Sequence, residues 1–413
     1  MSRAPLRVAV LGAGTVGLAV IRAFQDASEC LAPVDGAPLS LVGVAVRDLE
    51  RARGRGVPSE LLTDAPAHLV ASPGVDAIAE LMGGDEPART LIAAALAASK
   101  PVVTANKHVV AHHGPELEAI SRRTGAPFRF ESAVGAGIPV LGPLASELAA
   151  SRVAAVRGIV NGTTNHILTA MASAGRPYAA ALAEAQTAGY AEADPSGDVD
   201  GDDAVNKLVI LVRLAFGVWL VPSSVERRPP TVAGTGRPGI GGVTVDELKA
   251  AAAVGLTVKL LASSRRLDDG AVAATVLPTA LPSDSPLGRT GGVDNRVEID
   301  ADPVGRVAFM GPGAGGPATA SAVLGDLLAV ARGAAGTWAG LPPAIGPAID
   351  AAPDPVDPRR FFASTLPEQL VRDQVEIETA RGGGFIAAAQ PLDELRAGLA
   401  AAGIDATLYP IAE

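Results

Sequence analysis

RVAVLGAGTVG, running from Arg7 to Gly17, carries the strongest fold signal in the chain. Arg7–Leu11 is a short apolar run that reads as a strand, and Val16–Phe24 spaces its apolar residues as a helix does. Between them Gly12, Gly14 and Gly17 stand in the order G-x-G-x-x-G. Gly12 suits a tight turn, Gly14 lets the backbone approach a pyrophosphate, and Gly17 allows close packing of helix on strand. Thr15 and Val16 then open a helix whose N-terminus faces the phosphates. Glycine-rich turns are common, so the motif alone is weak. The strand before it and the helix after it make it a candidate dinucleotide site.

The second strand of such a unit ends in Asp or Glu when the ribose hydroxyls are read. Here Leu39–Val46 reads as a strand and the sequence continues GVAVRD, with Arg47 at the terminus and Asp48 one step later. Arg51, Arg53 and Arg55 follow. A guanidinium suits a 2′-phosphate, so the expected cofactor is NADP. An ordinary solvated helix start explains the same residues, and Asp48 keeps NAD open.

Further short apolar runs follow at Val75–Leu81, Pro101–Thr104 and Pro127–Phe130, separated by helix-like stretches such as Ala88–Ala98. That alternation predicts an α/β fold, with an N-terminal doubly wound parallel sheet of the Rossmann type over 1–139. From about Ile138 the pattern changes, and Ala154–Val160 and Gly270–Thr279 suggest strands of a second α/β domain over 140–310. Pro229–Gly242 reads as a loop. A second glycine-rich stretch beginning at Gly311 opens a helix, and 311–340 is expected to return to the nucleotide domain. Residues 341–359, rich in Pro, Ala and Asp, read as a linker. Residues 360–413 read as a small α+β module.

The bulk numbers narrow the class. The chain has 413 residues, 48% of them hydrophobic, with a formal net charge of -10 and no long basic run. A nucleic-acid protein would show a Lys/Arg patch. The one cysteine, Cys30, excludes an intrachain disulfide and a cysteine zinc cluster. The most apolar segment, Leu208–Val221, is interrupted by Arg213 and is too short to span a bilayer. The N-terminus runs straight into a strand with no signal-peptide pattern, so a cytoplasmic protein is expected.

In open α/β sheets ligands bind beyond the carboxyl ends of the strands. AELMGG, with Met82 and Gly83, ends one strand; VVTANK, with Asn106 and Lys107, ends another; FESAVGAGIP ends the last. A lysine at that edge is a candidate for chemistry. Glu131, with carbonyls of the glycine-rich turn, could hold a cation, although the glycines are explained by the turn alone.

GYAEADPSGDVDGDDAVNK, Gly189 to Lys207, holds six carboxylates and one lysine before the apolar run LVILV. An EF-hand fails, because its sixth position would be Asp203 rather than Gly and its twelfth Val209 rather than Glu. Asp194, Asp200 and Asp202 fit a solvated acidic loop, with Asp202 a candidate helix cap. Asp203 and Lys207 are four apart and share a helix face. Burial lowers the lysine pKa and neighbouring carboxylates raise it, which can poise an amine for proton transfer. Surplus carboxylate can also hold a substrate ammonium group. Hydride chemistry needs a group to accept the hydroxyl proton; Lys107 and Lys207 are the candidates. His108, His112 and His113 read as members of a solvated helix.

These stretches, together with GIVNGTTNHIL (Gly158–Leu168) and GPGAGGPATASAV, resemble the homoserine dehydrogenases over roughly residues 5 to 340. The resemblance implies NAD(P)-dependent interconversion of L-homoserine and L-aspartate 4-semialdehyde, and a homodimer paired through the middle domain. It implies that Lys207 donates or accepts the proton, that Asp203 is its partner, and that Lys107 is a second lysine near cofactor and substrate. Glu192 would bind homoserine at its ammonium group, with Tyr190, Thr163 and Asp198 lining the pocket. Glu131 and the carbonyls of Val134, Ala136 and Ile138 are similar to a sodium site. Gly311 and Gly313 would return to the cofactor. Two features depart from the family: His166 stands where Tyr is usual, and the tail resembles a shortened ACT module. Its strands are expected at Phe361–Leu366, Gln374–Thr379, Gly384–Ala389 and Asp405–Pro410, and its helix at Leu392–Ala402. The first helix of a βαββαβ order is missing, so weak or absent threonine feedback is expected. Two rivals remain at this stage: a dehydrogenase of another small hydroxy acid, and a silent nucleotide and amino-acid sensor.

Overall fold

The computed structural model describes the chain apart from residues 1–3, 27–30, 32–35, 339, 345, 354–358, 365–374 and 413. Cys30 lies outside the described residues.

The first sheet is built from β1 (Leu6–Leu11), β2 (Leu39–Ala45), β3 (Leu62–Thr63), β4 (Ala77–Glu80), β5 (Val102–Thr104) and β6 (Phe128–Arg129). Its order is β3-β2-β1-β4-β5-β6 and every pairing is parallel. That is the doubly wound order with its switch point between β1 and β4. Alternation along β1 sends Val8 and Val10 to one face and Ala9 and Leu11 to the other, where they join separate apolar clusters. Helices α1 (Thr15–Gln25), α2 (Leu49–Gly54), α3 (Pro66–Ala71), α4 (Ala88–Ala97) and α5 (Lys107–Thr124) connect the strands.

After α6 (Leu141–Ala145) comes β7 (Arg152–Ile159), then α7 (Gly162–Ala174), α8 (Tyr178–Thr187), α9 (Ser196–Val199), α10 (Asp202–Phe216) and α11 (Val245–Ala253). The strands β8 (Leu256–Arg266), β9 (Val272–Pro282), β10 (Asp294–Asp302) and β11 (Gly305–Pro312) complete a second sheet, ordered β11-β10-β7-β8-β9. It is antiparallel throughout. Val156, Val258, Leu260, Val276 and Ile299 face the main core, while Ile159, Leu261, Leu281 and Leu287 form a small cluster of their own. The glycine-rich stretch does not open a helix directly: Gly311 and Pro312 finish β11, and α12 (Gly316–Ala331) begins after a turn. α12 packs beside α1 on the first sheet.

The stretch read as a linker is anchored. Ile349 exchanges backbone hydrogen bonds with Trp219 and Val221, and Ala352 donates to Val272 at the start of β9. The tail forms β12 (Arg359–Ser364), β13 (Ile377–Arg381), β14 (Gly384–Gln390), a helix Leu392–Ala401 and β15 (Tyr409–Pro410). Their order, β13-β14-β12-β15, with antiparallel pairings, is that of a split βαββαβ unit. The first helix, expected from the sequence to be missing, would fall between β12 and β13 on residues 365–374, outside the described residues. Among the described residues no helix is long and apolar enough to cross a membrane.

Candidate active site

At the end of β1 the glycines are required by space. Gly12 has φ +101°, and a Cβ there would meet the Leu81 carbonyl oxygen at 2.7 Å. A Cβ on Gly17 would lie 2.0 Å from the Gly12 carbonyl oxygen, so helix and turn could not close. Gly14 is the opposite case: nothing lies within 4 Å of its Cβ position. Gly14 is also the cap of α1 and offers no side-chain acceptor to the first-turn amides. The start of α12 is similar, with Gly315 as a cap lacking a side chain and Gly316 packed against the Thr15 carbonyl. Among the described residues neither helix start has a side-chain cap, and the two meet at Thr15 and Gly316 beside open space, which fits a dinucleotide pyrophosphate. Gly311 lies beside Ile138, and Gly313 rests on the Asn295 side chain.

Arg47 is exposed past the end of β2. The Asp48 carboxylate accepts the Arg51 backbone N–H at 2.9 Å and caps α2. Met82 follows β4 and donates its backbone N–H to Glu80 at 2.8 Å, and Gly83 takes φ +72°.

The two lysines meet at one carboxylate. Lys207 Nζ donates to Asp203 Oδ2 at 2.7 Å and to the Val160 carbonyl at 2.7 Å. Lys107 Nζ lies 3.1 Å from Asp203 Oδ1. The Lys207 side chain is 9% exposed and that of Lys107 42%. Asn161 Nδ2 reaches Asp203 at 2.8 Å and Asp198 at 2.7 Å, while its Oδ1 caps α7 by accepting from Thr164. Burial works against ionisation of Asp203, but the charges of Lys207 and Lys107 outweigh it and hold the carboxyl well below the usual carboxylate range. Burial and the Asp203 charge push Asp198 up. The charge of Asp203 holds Lys107 above its ordinary value against burial, and Asp198 and Glu192 add to it.

Around this centre Thr163 Oγ1 donates to the Tyr190 carbonyl at 2.7 Å. The Tyr190 ring lies 4.9 Å from that of His166 and is largely exposed. Glu192 is exposed at the rim. Thus Lys107, Lys207, Asp203, Asp198, Thr163, Tyr190 and Glu192 converge, and Asp194 stays in the exposed loop, bonded to the Ser196 N–H. Asp202 is not the cap of α10. Gly201, at φ +89°, holds that position, and Asp202 pairs with Arg227. The histidines of α5 are more engaged than a solvated helix implies: His113 meets Asp85 at 2.6 Å and His112 meets Asn206 at 3.1 Å.

Glu131 takes three backbone donors, from Val140 and Leu141 at 2.8 Å and Gly142 at 2.7 Å. Burial raises its pKa. Among the described residues no group of three or more His, Cys, Asp or Glu is placed to hold a metal.

Sequence reasoning missed Asn161 and Glu80. Asn161 had a readable signal, an Asn directly before a helix.

The family model described as the homoserine dehydrogenase NAD binding domain matches residues 12–131. The model described as homoserine dehydrogenase matches residues 139–328. The homoserine dehydrogenase of Mycobacterium tuberculosis is 45% identical over 79% of this chain and 73% of its own length. The chain belongs to the homoserine dehydrogenase family. It is thereby an NAD(P)-dependent oxidoreductase acting on a CH–OH group. The homoserine dehydrogenase of Bacillus subtilis is 38% identical, again over 79% of this chain and 73% of its own. A solved homoserine dehydrogenase from Thiobacillus denitrificans superposes with a TM-score of 0.87 at 30% identity, covering 99% of this chain and 98% of its own. A hyperthermophilic archaeal homoserine dehydrogenase mutant, solved in complex with NADPH, has a TM-score of 0.65 at 28% identity. It covers 79% of this chain and 97% of its own.

Proposed function

We propose that the chain interconverts L-homoserine and L-aspartate 4-semialdehyde with Lys207 as the proton donor and acceptor. The observation that carries this reading is the single carboxylate, Asp203, held between two lysines from different parts of the chain. A bound nicotinamide would supply the hydride acceptor for the carbinol carbon. Lys207 takes the hydroxyl proton at Nζ as the carbonyl product forms. In reverse the Lys207 ammonium returns the proton. Val160 and Asp203 fix the amine in place. Lys107 stands at the rim between the proposed cofactor turn, Met82 and Gly83, and the substrate. Glu192 takes the substrate ammonium, and Thr163, Tyr190 and Asp198 line the pocket.

NADP is the preferred cofactor in this reading. Arg47 is exposed at the strand end, while the Asp48 carboxylate is engaged as a helix cap. Gly12, Gly14, Thr15, Val16 and Gly17 would hold the pyrophosphate, with Gly311 and Gly313 on the return segment. A monovalent cation would sit at Glu131 and the carbonyls of Val134, Ala136 and Ile138. No hydrogen bond among the described residues ends on those three carbonyls, and all three residues are buried. The homodimer is supported by exposed apolar residues, Met310 on the edge strand β11 and Val304 just before it.

The test is the appearance of reduced nicotinamide with L-homoserine, using NADP and NAD, for wild type and Lys207→Ala. Turnover should collapse in the variant while cofactor binding persists. A variant that turns over at the wild-type rate overturns the role given to Lys207.

A further inference from the structure

Glu80 is the last residue of β4 and is 0% exposed. It lies directly opposite Thr104, the last residue of β5. Both carboxylate oxygens are engaged: Oε1 accepts the Met82 N–H at 2.8 Å and Oε2 the Thr104 hydroxyl at 2.6 Å. The Thr104 oxygen in turn accepts the Asn106 N–H at 2.9 Å. Asn106 caps α5 through Oδ1, which accepts from Val109 at 3.1 Å, and its Nδ2 donates to the Gly84 carbonyl at 2.8 Å. The bonds close a ring: Glu80, Thr104, Asn106, Gly84 and back along the turn to Met82. Lys107 is the next residue after Asn106.

No ion pair among the described residues includes Glu80, and its burial raises its pKa. A carboxylate buried without a cation is unfavourable, and the rest of β4, Ala77, Ile78 and Ala79, is apolar. Packing at this strand end does not call for an acid. We infer that Glu80 is a positioning residue: through Thr104 and Asn106 it sets Lys107 relative to the 82–84 turn. The inference rests on the proposed roles of Lys107 and of Met82 and Gly83. It goes beyond them by assigning a function to a residue that touches neither ligand. A misplacement of about 1 Å at such a constellation costs roughly a hundredfold in rate.

The experiment compares Glu80→Gln, Thr104→Val, Thr104→Ser and the Glu80→Gln/Thr104→Val double variant. It reads kcat, KM for homoserine, cofactor Kd by direct titration, and Tm. In Glu80→Gln one oxygen still accepts the Met82 N–H, but the amide nitrogen can only donate to the Thr104 oxygen, which leaves the Thr104 hydroxyl proton without its acceptor. Glu80→Gln and Thr104→Val should each lower kcat by about tenfold or more, with a smaller change in cofactor Kd. Thr104→Ser, which keeps the hydroxyl, should stay within about twofold. The double variant should be no worse than the worse single, because both cut the same bond. A loss of Tm with kcat of the folded protein unchanged would overturn the inference, as would an equal fall in kcat for Thr104→Ser. Lys107→Met separates the two levels. If it keeps full kcat, the role given to Lys107 fails. If it loses kcat while Glu80→Gln does not, only the inference about Glu80 fails.

Discussion

Lys107, the first residue of α5, holds Asp203, the second residue of α10, at 3.1 Å. The same two helices meet again about a turn further on, where His112 bonds Asn206 at 3.1 Å, and beyond it, where Arg213 bonds Glu118 at 2.5 Å. The contacts advance together along both chains, so α5 and α10 run side by side in the same direction. One helix belongs to the nucleotide sheet and the other to the substrate side. Their seam delivers the lysine of one to the carboxylate of the other.

Replacing the shared carboxylate tests that delivery. Asp203→Asn should lower kcat/KM by about a hundredfold or more, the scale of a lost acid–base contribution. Its pH signature has a definite sign. The folded-state pKa of Asp203 lies below its ordinary value, so the carboxylate contributes stability above the unfolded pKa and loses it as the pH falls. Acid unfolding curves of Asp203→Asn should therefore be flatter on the acid side than those of the wild type.

In the proposed reading Arg47 sets the cofactor preference. In Arg47→Ala the ratio of kcat/KM for NADP over NAD should fall by about tenfold to a hundredfold, since a hydrogen bond to a charged group contributes about 1.5–3 kcal/mol. Steady-state rates with both cofactors decide it, and an unchanged ratio would return Arg47 to the solvated helix start.

Arg213 breaks the apolar run that precedes Val221, and the structure shows why it is tolerated. It is 0% exposed and bonds Glu118 twice, and Glu118 also accepts from Trp219 and Arg122. Arg213→Met leaves Glu118 short of its main partner in the interior. That should destabilise the fold by about 3–5 kcal/mol in urea unfolding.

Lys259, on β8, is 4% exposed and has no ion-pair partner among the described residues. It donates to Asn165 at 2.9 Å. Burial pushes its ammonium down to about 8 from an ordinary 10.5. Below about 8 both folded and unfolded chains hold the proton, and the folded state carries the full cost of burial. Between there and 10.5 only the unfolded chain holds it, so this cost disappears as the pH rises. Lys259→Met should be more stable than wild type at neutral pH by about 2 kcal/mol: roughly 3 from the shift less about 1 for the bond to Asn165. Denaturation at pH 7 and pH 10 should show the gap narrowing.

Local pattern located the strands of the nucleotide half except β3, which at Leu62–Thr63 is too short to show a period. Arg7–Gly17 and the apolar runs ending at Leu81 and Thr104 each combine a strand with a turn chemistry that few other folds use. The second sheet was only partly readable. β8 and β10 are buried in part on both faces, so their patterns lack a clean alternation, and β11 ends in Gly311 and Pro312, which read as the opening of a helix. The partners of Arg213 and Glu80 were invisible for another reason. Glu118 is ninety-five positions from Arg213 and Thr104 twenty-four from Glu80, so no periodicity links them. Asp203 and Lys207 were legible as a pair because a helix brings residues four apart together; that Lys107 shares the carboxylate depends on the seam between α5 and α10.

The crowding of acid at Gly189–Lys207 has one more counterweight. α5, α10 and α7 all begin at the site: Lys107 and Asp203 lie in the first turns of two of them, and Asn161 caps the third. Aligned peptide dipoles give each helix start about half a positive elementary charge. Three such starts gathered at one site form a positive potential made of backbone alone, which does not titrate with pH. It stabilises the ionised carboxylates and favours the alkoxide that a departing hydroxyl proton leaves behind.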